Sequence, residues 1–259
     1  MRRRGWSMTE TLVVIALMAL IMAIALPVIG SGRKAAQMGA CLANLSQLHK
    51  ALKLYETEQR AYLPPGDYIT RTGGNQVRTG FWTTYLIDAG VIDAGQSQDQ
   101  LVPPRESPFR CPSGLDHDLN QLGWPPLDQT GRFDTRGMGY VVVPRMDEHL
   151  KARYWTHIWY GINGSGEAQD FEKYPFSRVY SDGPTGTHRR NQLPHPATLI
   201  SLFDGWHMHF ANAGWMSARH MSQTRTNLLL FDGHAQTMDA EAVPAPGDLP
   251  KSGPRFRMK

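Results

Sequence analysis

The chain has 259 residues, 41% of them apolar. That size and composition fit one large domain, or one domain with an appended segment, and exclude a wholly disordered chain or a multi-span membrane protein. The net charge of +4 falls to +1 without Arg2, Arg3 and Arg4, so the excess is terminal and leaves no nucleic-acid footprint.

The N-terminus carries the strongest signal. Residues 11–29 form an uncharged run, TLVVIALMALIMAIALPVI. As a helix this run spans about 28 Å, one bilayer core. Arg2, Arg3 and Arg4 before it hold the N-terminus in the cytoplasm, and the rest of the chain then lies across the membrane. A carboxylate at Glu10, on the edge of the run, is costly there and points to function. Pro27, inside the run, removes a backbone hydrogen bond and predicts a bend. A secretory signal cleaved near Ser31 and a plain uncleaved anchor are the other readings of this segment.

Residues 33–60 lack proline, and Met38, Leu42, Leu45, Leu48, Leu52 and Tyr55 recur at helical spacing. They predict an amphipathic continuation of the helix, stopped by Pro64-Pro65-Gly66. Its apolar face needs a partner, and a sheet from the remaining chain is the natural one. Asp67 to Gly80 reads as a loop or hairpin, and Val141–Val143 and Tyr154–Ile162 read as strands. The Gly- and Pro-punctuated residues 164–196 read as a surface excursion. Asn163-Gly164-Ser165 matches a glycosylation sequon. From Ala240 the chain turns Pro-rich and basic, which predicts a frayed tail.

Gly5-Trp6-Ser7-Met8-Thr9-Glu10 with its apolar run resembles the start of type IV pilins and pseudopilins. The resemblance implies cleavage between Gly5 and Trp6 by a prepilin peptidase that also methylates the new amine. It implies that Glu10 meets the Trp6 amine of a neighbouring pilin or pseudopilin subunit, and that Pro27 marks the bend of the long helix. A second set of motifs resembles a bacterial subfamily of prepilin-like proteins with a C-terminal His-to-Asp-Gly signature. These are Cys41-Leu-Ala-Asn-Leu-Ser-Gln-Leu, Tyr55, the Pro pair at 64–65, Phe109-Arg110-Cys111-Pro112-Ser113 and Trp159-Tyr160-Gly161-Ile162-Asn163. Eleven residues separate His220 from Asp232-Gly233, two more than is usual in that subfamily, and the extra pair is assigned to a loop before the strand.

The implied fold is α+β and pilin-like, a long N-terminal helix packed on an antiparallel sheet with long loop insertions. Its parts are a leader (1–5), a membrane and filament-core helix (6–29), an amphipathic continuation (30–63), an exported β-rich domain (64–239) and a flexible basic tail (240–259). The implied location is the inner membrane, with a periplasmic or cell-surface filament after assembly. The implied function is structural rather than enzymatic, as a subunit of a pilus or a type II secretion-like pseudopilus.

Cys41 and Cys111 lie on the exported side in this topology, where disulfides persist. A bridge between them would close a long loop and add about 2–4 kcal/mol; two free thiols are the alternative. The strings Leu202-Phe203-Asp204-Gly205 and Leu230-Phe231-Asp232-Gly233 each read as a strand ending at an Asp-Gly turn. Asp204, His207, His209, His220, Asp232 and His234 form a candidate divalent-metal set, His with Asp suiting Zn²⁺ and the two carboxylates suiting Ca²⁺. The competing reading is turn capping, with His220 bonded to Asp232 to pin a loop. Trp124, Trp155, Trp159, Trp206 and Trp215 could form a sugar-stacking face, though aromatic residues more often pack a core. A membrane-tethered metal- or glycan-binding domain is therefore the rival function. No His-Glu-x-x-His, Gly-x-Ser-x-Gly or phosphate-binding glycine loop occurs in the chain, as the common metallohydrolase, esterase and nucleotide sites require.

Overall fold

A computed structural model describes residues 7–72, 75–93, 104, 106–114, 141–147, 152–165, 171–181, 186–205, 216–244 and 252–258. The leader and Trp6 lie outside them. Helix α1 (Met8–Glu58) has 51 residues and is about 76 Å long. Ser7 starts it. The Ser7 hydroxyl accepts from the Glu10 N–H at 3.2 Å, and Glu10 Oε2 accepts from the Ser7 N–H at 2.8 Å. This reciprocal pair satisfies donors that the helix start leaves open. The helix runs unbroken through Pro27.

The two halves of α1 have opposite surroundings. Residues from Met8 to Ile29 are exposed almost throughout, with Leu26 at 69% and Ile21 at 66%. This one segment is long and apolar enough to cross a membrane. In the second half Cys41, Leu45, Leu48, Ala51, Leu52 and Tyr55 are buried. Met38 and Leu42 of the expected stripe are only half-buried, because the face has turned towards Cys41. The helix stops before the Pro pair. Arg60 and Ala61 adopt positive φ, and the Ala61 N–H closes back on Glu56 O at 2.7 Å, a closure of the kind that ends many helices.

The strands follow in chain order. β1 (Asp67–Thr72) and β2 (Asn75–Phe81) form a hairpin that leads into α2 (Trp82–Asp88). β3 (Val141–Asp147) pairs with β4 (Ala152–Ile158). β5 (Tyr160–Ile162), β6 (Gly164–Ser165), β7 (Phe176–Tyr180), β8 (Ile200–Asp204), β9 (Arg225–Leu230) and β10 (Ala235–Asp239) complete the set. An antiparallel sheet has the order β10-β9-β8-β5, and α1 packs on its β9 and β10. A second sheet, β2-β1-β7-β6, is mixed, since β7 runs parallel to both β1 and β6. The class is α+β, as expected, with one mixed sheet beside the antiparallel one.

One expected surface excursion is built into the core instead. Within 164–196, Tyr174, Phe176 and Leu193 are buried, and Phe176 stacks on Phe231 at 5.5 Å. Asp67 and Arg178 face each other across β1 and β7. Arg178 donates through Nε and Nη2 to the fully buried Asp67 carboxylate at 2.7–3.1 Å. A two-pronged pair of this kind tolerates burial that a single contact would not. The last residues are not frayed either. Ile200 N–H bonds Arg255 O, Arg255 N–H bonds Thr198 O, and Phe256 sits edge-on to Phe203 at 5.9 Å. Apolar burial of Phe256 and Met258 overrides the Pro-rich, basic composition around them. Asn163 of the sequon is also internal. Its amide donates to Ile200 O and Phe256 O at 2.7 and 2.8 Å, so it ties the C-terminal segment to the sheet.

If this docking holds, Phe256→Ala should lower unfolding free energy by about 3–5 kcal/mol, as for other buried aromatic truncations. Chemical denaturation of the detergent-solubilised chain checks it, and a loss below about 0.5 kcal/mol would mean a tail that is not part of the fold.

Candidate functional site

The motif islands, far apart in sequence, meet along one seam between α1 and the antiparallel sheet. Cys41 on α1 is joined to Cys111 in a disulfide, with Cα atoms 5.1 Å apart. This resolves the choice between bridge and free thiols, and it clips the helix to residues 106–114. Next to it Asn44 donates to Arg110 O at 2.6 Å. Phe109 is buried edge-on to Trp82 at 5.6 Å.

The element at 159–163 lies directly beneath. Trp159 is fully buried, with the Arg110 guanidinium over its ring. It is therefore core, and it offers no sugar-stacking face. Tyr160 donates to Cys41 O at 3.4 Å. Burial, and then the nearby Asp204 charge, push its phenol well above its ordinary pKa. Gly161 stands opposite Phe203 in the β5–β8 register, where a Cβ would overlap the Phe203 ring. Only glycine lets the ring lie flat on that strand.

At the end of β8 the Asp204 carboxylate is fully buried. Its Oδ2 contacts His220 Nε2 at 2.7 Å and accepts from the Asn227 N–H at 2.8 Å. Asn227 Nδ2 lies 2.9 Å from the same His220 nitrogen, and Thr237 donates to Asn227 Oδ1 at 2.7 Å. His220 Nε2 is also 3.8 Å from Cys111 Sγ. Arg219, 7% exposed, donates through Nη1 to Trp159 O at 3.0 Å. Burial pulls its pKa below the ordinary arginine range, and Asp204 opposes that. Asp204 Oδ1, His220 Nδ1 and Arg219 Nε and Nη2 have no hydrogen-bond partner among the described residues. This is a buried polar knot joining β8, β9, β10 and the disulfide.

The candidate metal set divides. Asp204 and His220 come together. Asp232 and His234 lie by the other end of β8, in the β9–β10 turn, where Asp232 N–H bonds Pro196 O and Leu230 N–H bonds His234 O. Asp232 is exposed and its Oδ1 accepts from the His234 N–H at 2.8 Å, so it caps its own turn. The two aspartates are thus too far apart to share a Ca²⁺. His220 bonds Asp204 rather than Asp232. His207, His209, Trp124, Trp206 and Trp215 lie outside the described residues. A turn at 221–224 lies between His220 and β9. Met221, Ser222 and Gln223 there have positive φ, and Lys34 of α1 donates to Ser222 Oγ at 2.9 Å.

Asp232-Gly233 still has a reason to be Asp-Gly. Gly233 has φ +99°, and a Cβ on it would come within 2.8 Å of His49 Nε2 on α1. The turn is where the helix rests on the hairpin. Sequence reasoning missed Arg219, Asn227 and His49 as members of this seam. Their signals were present: Arg219 precedes His220, Asn227 faces inward on β9, and His49 follows the buried Leu48.

No family model matches the chain, and no curated protein or solved structure matches it.

Gly233→Ala should destabilise the domain by at least about 1–3 kcal/mol, the usual strain of a side chain in such a conformation, read by denaturant unfolding; an unchanged midpoint would remove His49 from the argument. Burial, then the Arg190 and Lys53 charges, holds the pKa of His49 below its ordinary value, against Asp232. Burial does the same to His188, against the Pro175 carbonyl and Glu172. For both groups the unfolded chain binds protons more readily than the fold. Stability is then complete above the unfolded pKa of about 6.5 and is lost as pH falls through the folded values. The thermal midpoint should rise from about pH 5 to about pH 7, and His49→Gln with His188→Gln should flatten that slope. A midpoint that climbs on acidification over that range contradicts the assignment.

Proposed function

We propose that this chain is a structural subunit of a type IV pilus or of a type II secretion-like pseudopilus. The observation that carries the reading is the apolar half of α1. Residues 8–29 carry a nearly unbroken exposed apolar surface, and water does not tolerate a patch of that size on a monomer. A bilayer covers it before assembly, and neighbouring helices cover it in a filament. Three further features support the reading: the leader with Gly5-Trp6, Glu10 at the bilayer edge, and the disulfide in the part placed outside the cytoplasm. The chain acts in this account by packing and not by catalysis.

Glu10 has a definite task in both states. In the single chain its carboxylate is occupied by Ser7, which limits the cost of placing it at the edge of the hydrocarbon. During assembly it exchanges Ser7 for the Trp6 amine that cleavage by the prepilin peptidase creates on a neighbour. A cation and a carboxylate brought together inside a helix bundle hold register, because either one left alone there is strongly disfavoured.

Mass spectrometry of the chain from its native membrane should find an N-terminus at methylated Trp6. A start near Ser31 would mean an ordinary signal peptide and would end the filament reading. Glu10→Val should leave cleavage intact and reduce filament yield at least tenfold, counted by shearing and electron microscopy. Normal filaments from that variant would remove Glu10 from assembly.

A further inference from the structure

The disulfide lies beside a buried histidine, His220, which in turn contacts the buried Asp204 carboxylate. Cys41, Cys111 and His220 come from α1, from the loop at 106–114 and from the turn before β9. Their ligand atoms lie within 4.8 Å of one another, and all three residues are at most 1% exposed. We propose that the dithiol form of this protein, before Cys41 and Cys111 are oxidised, holds one zinc-class divalent cation on Cys41 Sγ, Cys111 Sγ and His220 Nε2, with Asp204 Oδ2 as fourth ligand.

The distances of Cys41, Cys111 and His220 fit such a site with small movements, whereas Asp204 Oδ2, outside that group of atoms, must move further to join it. Tetrahedral zinc, with Zn–S about 2.3 Å and Zn–N about 2.0 Å, sets ligand sulfurs about 3.8 Å apart and sulfur from nitrogen about 3.5 Å apart. Cys111 Sγ and His220 Nε2 already stand at 3.8 Å. The sulfurs must separate once the bond between them is gone, and side-chain rotation on Cα atoms 5.1 Å apart allows it. Asp204 Oδ2 is 2.7 Å from the same imidazole nitrogen. As that nitrogen turns to the metal, its proton moves to Nδ1, which has no hydrogen-bond partner among the described residues, and the carboxylate is freed to bind as well. Two thiolates and one carboxylate on a divalent cation leave a single negative charge. Arg219, buried and in electrostatic contact with Asp204, offsets it. Thiolate and imidazole together select zinc over calcium or magnesium.

The chemistry balances in both directions. Two thiols and a divalent cation give the metal dithiolate and two protons. Oxidation by a disulfide-class oxidant, with two protons, gives the Cys41–Cys111 disulfide, two thiols of the spent oxidant and the free cation. Metal and disulfide are thus alternative clips at one place. The cation holds α1 against the loop and the sheet until oxidation makes that link covalent.

The test uses the full chain in detergent, reduced with a phosphine, freed of reductant without air and titrated with Co²⁺. One Co²⁺ per chain should bind, with thiolate-to-cobalt absorption in the near ultraviolet and tetrahedral bands in the red, both displaced by Zn²⁺. The oxidised chain and Cys41→Ser/Cys111→Ser should show neither, and His220→Gln should bind at least tenfold more weakly. Should His220→Gln fail to fold, X-ray absorption of the zinc-loaded wild type reads the same point, with two sulfurs at about 2.3 Å and two nitrogen or oxygen neighbours at about 2.0 Å. An all-sulfur shell shared between chains, equal uptake by the double serine variant, or a reduced chain that binds no cobalt, folded or unfolded, overturns the proposal.

Discussion

The structure depends on one helix that must satisfy two surroundings. Over its first half α1 offers apolar side chains and receives no cover from the other described residues. Over its second half it supplies the stripe on which the β9–β10 hairpin packs. Most helical stability in proteins comes from packing an apolar face rather than from propensity. The second half of α1 is held by burial and by the disulfide, and its first half is left to whatever apolar medium receives it. That uncovered half is long and apolar enough to cross a membrane.

The seam explains why separated sequence islands have the residues they have. Cys41, Asn44, Leu45, Leu48 and His49 face the loop at 109–111, the strand at 159–163 and the turn at 232–233. Each island supplies something its neighbours need: a ring in Trp159, the absence of a side chain in Gly161 and Gly233, a buried acceptor in Asp204. An element read in isolation looks like a functional motif. Placed in the fold, most of these residues serve to fix one helix on one sheet. The knot around Asp204 also carries buried polar atoms with no hydrogen-bond partner among the described residues, as does Asn163 Oδ1 of the 159–163 island.

The helix, its apolar start and the strand leading into each Asp-Gly pair were legible because they rest on local pattern. Period and composition act over a few residues, and the stripe from Leu45 to Tyr55 emerges within one position of its expected face. The tail and the residues at 164–196 were misjudged for the opposite reason. Their Gly and Pro content describes loops correctly, but Phe176 and Phe256 supply enough apolar area to draw those loops into the core.

By itself the sequence determined the long helix, its membrane-length apolar half, the α+β class and the list of residues able to do chemistry. Only the tertiary structure decided which of them meet. Asp204 takes His220 while Asp232 caps its own turn, because antiparallel pairing sets the two aspartates by opposite ends of β8. Cys41 and Cys111 join because α1 lays one of them over a loop seventy residues away in sequence. Proximity of that kind comes from the packing of a whole helix on a whole sheet, and no window of sequence contains it.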